Sequence, residues 1–214
     1  MVLKREVAFF ALIIIVGLAV SLSVFLSAEE NIAPLTLTIR LLALNGYLAL
    51  SVAAIMTPFL KEVTLFFKKS FVKVHHYFAA VGLLLITLHP IAVFAQTLDP
   101  TVFLPNFESL YLFFFFGGVI ALVLIYVAFG TVLLRRKIPS YWRPFHTLMY
   151  LALFIGVVHA NLRGTNFQSL SIQIIYDSLF AAAFAAFILK RWQFYRIKTI
   201  ANNHKLTSQK NNKA

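Results

Sequence analysis

The sequence predicts an all-α fold, a six-helix transmembrane bundle with both termini cytoplasmic, and three observations predict it. Of 214 residues, 61% are hydrophobic, with a mean hydropathy of +0.86, whereas a soluble domain runs near ~45–50% apolar. Apolar stretches long enough to cross ~30 Å of hydrocarbon recur six times. Lys and Arg gather in alternate connections between those stretches, the pattern of membrane topology. The net charge of +12 is thereby distributed as a topology signal rather than as one basic face for nucleic acid. Cysteine is absent, which excludes disulfides, thiolate zinc sites and iron–sulfur clusters.

The first span is expected at Val7–Leu26, behind Lys4 and Arg5. A signal peptide is the alternative, since the small pair Ser27-Ala28 follows. The apolar run exceeds the ~7–15 residues of a typical signal core, so a retained helix is expected. The second span is expected at Leu35–Leu60, the third at Val72–Ala95 and the fourth at Leu110–Leu134. Polar, Pro-containing turns such as Asp99-Pro100 to Pro105-Asn106 separate spans. The fifth, Phe145–Leu162, is the shortest, and the sixth is Leu170–Leu189. Residues 1–200 read as one domain and 201–214 as a cytoplasmic tail, polar from Asn202 and expected to be disordered.

Orientation follows from the cations. Lys4, Arg5, Lys61, Lys68, Lys69, Lys73, Arg135, Arg136, Lys137, Arg143, Lys190, Arg191, Arg196 and Lys198 fall on one side. The other side holds Glu29, Glu30, Asp99 and Glu108, with Arg40 and Arg163 as its basic residues. The cation-rich side is the cytoplasmic one.

Six histidines are present, and five lie on the third and fifth spans: His75, His76, His89, His146 and His159. His204 lies in the polar tail and is assigned no role. Both histidine-bearing spans run outward from the cytoplasm, so His75, His76 and His146 sit at an inner level and His89 and His159 at an outer one. A step of 13 or 14 helical residues separates the levels by ~20 Å. Two opposed neutral imidazoles can fill both axial positions of a heme iron, an arrangement suited to electron transfer rather than oxygen binding. At ~100° per residue, the 14-residue step places His75 and His89 on one face and leaves His76 off it. The 13-residue step from His146 to His159 misses by ~140° and needs a bulge, a tilt or a different heme azimuth. Interhelical hydrogen bonding or proton relay is the blander alternative for each histidine. His76 reads as a partner for a heme propionate or lipid headgroups rather than as a ligand.

Val74-His75-His76-Tyr77 through Thr87-Leu88-His89, together with Tyr141-Trp142-Arg143-Pro144-Phe145-His146-Thr147-Leu148-Met149-Tyr150 through Val158-His159, resembles the ferric reductase-like transmembrane superfamily. That group includes NADPH oxidases, ferric reductases and the heme-binding membrane subunit of the periplasmic methionine sulfoxide reductase system. Thr57-Pro58 is similar to the last of these. The resemblance covers the second to fifth spans. It implies two b-type hemes, with His75 and His146 on the inner iron and His89 and His159 on the outer. Where oxidase-like members carry a basic residue after the first histidine, this chain has His76. His75 itself resembles the two-heme oxidase core, whereas the methionine sulfoxide subunit has basic residues at that place.

The sequence carries no Gly-rich dinucleotide fingerprint and stops soon after the sixth span, so it is expected to act as an oxidoreductase component without its own flavin or nucleotide domain. Its electrons are expected from a cytosolic flavin reductase, a bound flavin (FMN or FAD) or quinol. An extracytoplasmic partner reductase, ferric iron or oxygen is the expected acceptor. Heme propionates need cations. Candidates are Lys73, His76 and Arg143 at the inner level and Arg40 and Arg163 at the outer. Arg40 lies inside the second span, where charge is costly, and Asp177 on the sixth is its candidate counter-ion. Trp142 and Tyr150 could pack on the inner heme. The competing classes are a cofactor-free histidine-based proton channel or transporter, and a membrane assembly subunit.

Overall fold

Among the described residues, helices form along the expected apolar runs, but proline, glycine and local carbonyl geometry decide where they stop. The computed structural model describes residues 11, 14–15, 17–22, 24–25 and 32–211, and among them no strand occurs. Lys4, Arg5, Glu29, Glu30 and the Ser27-Ala28 pair lie outside the described residues. Four helices are long and apolar enough to cross a membrane: Pro34–Ile55, Phe71–Thr97, Trp142–Arg163 and Leu170–Arg196. Gly117–Leu133 is apolar but shorter, at 17 residues.

In chain order, α1 comprises the described helical positions between 11 and 25. It is followed by α2 (Pro34–Ile55), α3 (Leu60–Phe67) and α4 (Phe71–Thr97). After a 3-10 turn at Pro100–Phe103 come α5 (Leu110–Phe115), α6 (Gly117–Leu133), α7 (Trp142–His146) and α8 (Leu148–Arg163). A second 3-10 turn, Thr165–Gln168, leads into α9 (Leu170–Asn211).

Four ends differ from the expected spans. The second stops at Ile55 rather than Leu60, because Pro58 has no N–H to continue the ladder and Thr57 N turns back to Ala54 O (3.2 Å). The fourth is interrupted at Phe116, between α5 and α6. The fifth begins early, at Trp142, with a joint at Thr147. The sixth continues through the segment expected to be disordered and reaches Asn211. No Pro or Gly follows Gly164, and the Lys, Arg, Gln and Leu of that stretch are good helix formers.

Packing produces two antiparallel pairs. Between α2 and α4, a Cβ on Gly82 would lie 2.7 Å from Leu50 Cγ, and one on Gly46 would lie 2.9 Å from Ile86 Cγ1. Between α6 and α8, a Cβ on Gly117 would lie 2.8 Å from Ile155 Cγ2. In lipid no hydrophobic force drives helices together, so small residues that let backbones close in supply the attraction. Among the described residues the α2/α4 contact is the most extensive, α6/α8 is second, and α4 scarcely touches α6. Packing of α9 on α2 and α8 ties the pairs together, as does Tyr47, whose hydroxyl donates to Leu153 O (3.2 Å). On the far side of α2, Ser21 Oγ donates to Asn45 Oδ1 (2.8 Å) and Gly17 lies against Leu48.

Candidate functional site

The gap between the two pairs holds two cavities, one above the other. One, of about 310 Å³, lies toward the turns at 100–103 and 165–168 and is lined by Arg40, His89, His159, Arg163 and Tyr176 among others. The second, of about 620 Å³, lies at the end rich in Lys and Arg and includes His75, His146, Trp142, Arg143, Lys190 and Arg191 in its lining. Leu50 and Ile125 belong to both linings and form the partition. Both are buried. Gly82 makes room for Leu50 there, since a Cβ at 82 would collide with it.

Each of the four histidines is held in the same way. Nδ1 of His75 faces Ala53 O at 3.1 Å, that of His89 faces Ile39 O at 3.1 Å, that of His159 faces Phe115 O at 2.7 Å, and that of His146 approaches Ala128 O at 3.5 Å. A carbonyl can only accept, so Nδ1 carries the hydrogen and Nε2 keeps its lone pair. This is how a protein fixes the tautomer and direction of a ligating imidazole.

Helix interruptions supply two of these carbonyls. The turn that ends α2 sends Thr57 N to Ala54 O and leaves Ala53 O without its usual helical donor, free for His75. The break at Phe116 falls beside Phe115 O, the acceptor for His159. Along α2 the accepting carbonyls are 14 residues apart, matching the step between His75 and His89. Along α5 and α6 they are 13 apart, matching His146 to His159.

The 13-residue step crosses the Thr147 joint. There Thr147 N is shared between Arg143 O (3.2 Å) and Pro144 O (3.1 Å), and Tyr150 N bonds Thr147 O (3.1 Å), an i to i−3 contact. Each residue of 3-10 geometry turns ~120° rather than ~100°, so the joint recovers about 40° of the ~140° offset.

The residues fit a heme by three measures. Ring centroids of His75 and His146 are 6.2 Å apart. Two metal–imidazole bonds of ~2 Å in line, extended to the ring centres, require ~6 Å. At the other level, a Cβ on Gly118 would sit 2.9 Å from His159 Nε2, so glycine keeps that nitrogen clear. The volumes lie within the ~300–1,000 Å³ of small-molecule sites, mostly apolar with a few placed polar groups.

The other predicted residues divide. Arg40 and Arg163 line the cavity of His89 and His159, with the Arg163 guanidinium 5.2 Å from the Phe115 and Phe116 rings. Arg143 lines the other cavity and lies 5.3 Å from the Trp142 ring. His76 and Lys73 are exposed and line neither cavity. His76 keeps only a tilted ring contact with His75 at 6.0 Å. Asp177 is not the counter-ion of Arg40: its Oδ1 accepts from Asn161 Nδ2 (2.9 Å), and Asn161 Oδ1 accepts from Gln173 (2.7 Å). That pairing satisfies the carboxylate on the outside of the bundle.

Sequence reasoning missed Lys190 and Arg191 as cavity residues, reading them only as topology markers. The spacing of Phe187, Arg191 and Phe194, at i, i+4 and i+7, would have put them on one face, and all three line the larger cavity. Tyr150 lines it too, beside Thr57 Oγ1 at 3.3 Å. No protein-family model, curated protein or solved structure matches this chain.

Proposed function

We propose that this chain is a six-span protein of the cell membrane, with both termini cytoplasmic, that carries electrons across the bilayer through two b-type hemes. One observation carries the reading: four imidazoles at two levels, each with Nδ1 committed to a backbone carbonyl and Nε2 left as a ligand. Imidazoles fixed in this way suit permanent ligation better than they suit mobile proton carriage.

Hemes bound there would supply two one-electron centres, and ligation by two histidines leaves no open iron position. The chain's own residues do the rest. His75 and His146 would hold the inner group, and His89 and His159 the outer, at levels ~20 Å apart along the helix. Leu50 and Ile125 keep water from the boundary between them. Arg143, Lys190 and Arg191 offer charge to anionic groups at the inner mouth, and Arg40 and Arg163 do so at the outer. The inner mouth faces the donor, a cytosolic flavin reductase or quinol. The outer faces an extracytoplasmic acceptor, whether a partner protein or a small oxidant.

Vesicles test the transport claim directly. Protein reconstituted around trapped ferricyanide, with an impermeant reductant outside, is expected to bleach the trapped oxidant. The rate should fall to that of protein-free vesicles when His89 is replaced by Ala. Equal rates with and without the protein would defeat the reading.

A further inference from the structure

One buried side chain in the outer cavity carries an unspent polar group. Tyr176 on α9 is 2% exposed and lines the cavity of His89 and His159. Its ring is fixed between Tyr47 (centroids 5.8 Å apart) and Phe167 (5.5 Å). Its hydroxyl makes no hydrogen bond to any described residue. Tyr47, in the same cavity, spends its own hydroxyl on Leu153 O. Polar groups on buried side chains are ordinarily hydrogen-bonded, so one without a protein partner calls for an explanation. Packing alone would be served by Phe.

The neighbours indicate what the hydroxyl awaits. Arg40 and Arg163 bring two guanidinium groups to this cavity, and no Asp or Glu lines it. Asp177, next in sequence to Tyr176, is exposed and engaged with Asn161. Two cations and a free phenolic donor, with no acidic side chain to consume them, complement a carboxylate or another oxyanion. A heme carries carboxylates as its propionates, while its ring suits the apolar remainder of the cavity.

We infer that Tyr176 is a positioning residue of the outer site, donating its hydroxyl hydrogen to a propionate of the group held between His89 and His159. The inference rests on the two-heme reading. The phenol fixes which edge of the ring faces Arg40 and Arg163, and so orients the ring about its axial ligands.

The test is Tyr176→Phe, which keeps the ring and removes only the donor. Purified protein stripped of heme is titrated with heme b and with its dimethyl ester, in which both carboxylates are blocked. With heme b, the variant's outer site should bind roughly tenfold more weakly than wild type, as expected for a lost hydrogen bond to a charged acceptor. With the ester, the two proteins should bind equally. The inner site, filled by the same heme in the same sample, reports folding. Equal binding of heme b by both proteins overturns the inference, because the hydroxyl then serves no carboxylate. An equal deficit with heme b and with the ester also overturns it, since the tyrosine is then structural or serves a separate oxyanion. A wild-type chain that binds no heme fails the two-heme reading itself, a result distinct from either.

Discussion

Replacing His159 by Ala is expected to remove one heme of two and leave the other in place. His159 has the shortest of the four Nδ1 contacts, 2.7 Å to Phe115 O, and its Nε2 is kept clear by Gly118. His89→Ala should have the same effect. His75→Ala and His146→Ala should each remove the other heme, because Leu50 and Ile125 separate the cavities. Gly118→Val extends the prediction beyond the ligands. Its side chain would press on His159 Nε2, so the outer heme should be lost though every histidine remains. His76→Ala should change neither heme, since that ring lies outside both cavities. Heme content and low-temperature difference spectra of the purified variants decide the matter. If His159→Ala and His75→Ala deplete the same heme, the two-level arrangement is wrong.

Loss of both hemes should lower stability sharply, for an architectural reason. Of each pair of opposed imidazoles, one stands on α4, clamped to α2, while the other stands on the α7–α8 segment, clamped to α5 or α6. Little direct contact joins α4 to α6, so a bound heme would add a cross-link between two pairs otherwise tied through α9 and Tyr47. A ligand at 100 times its dissociation constant adds ~2.7 kcal/mol of stability, and two independent sites add about twice that. For a chain of this size each kcal/mol moves Tm by ~2–4 °C. Heme-free protein is therefore expected to unfold on the order of ten degrees below the loaded protein. Hydrogen exchange should show the loosening between the pairs rather than within them. Protection at the Gly46 and Gly82 crossing of α2 with α4 should survive. Equal melting temperatures for the two forms would show that heme is not what joins the halves.

What was legible in the sequence divides along physical lines. Apolar length and the placement of Lys and Arg report the partition between hydrocarbon and water, and these two signals were enough to anticipate a helical membrane chain. Periodicity placed His75 and His89 on one face because α4 runs unbroken through both, Pro90 notwithstanding. It could not do the same for His146 and His159, whose 13-residue step crosses the Thr147 joint between α7 and α8 rather than running along one uniform helix. The carbonyls that orient the imidazoles were equally hidden. Ala53 O and Phe115 O become available through a helix end and a helix break, and a backbone acceptor leaves no trace in residue identity. Asp177 was misjudged as a partner for Arg40 because depth along a helix does not specify azimuth. Tyr176 read as one more aromatic among many, and only burial without a hydrogen-bond partner set it apart.

The central claim is that paired imidazoles at two levels hold two hemes, and a visible spectrum tests it most directly. Protein expressed with heme supplied, purified in detergent and reduced, should show b-type absorption bands. Quantitation against protein should give about two hemes per chain, as expected from two two-histidine sites. A colourless protein under those conditions would contradict the account.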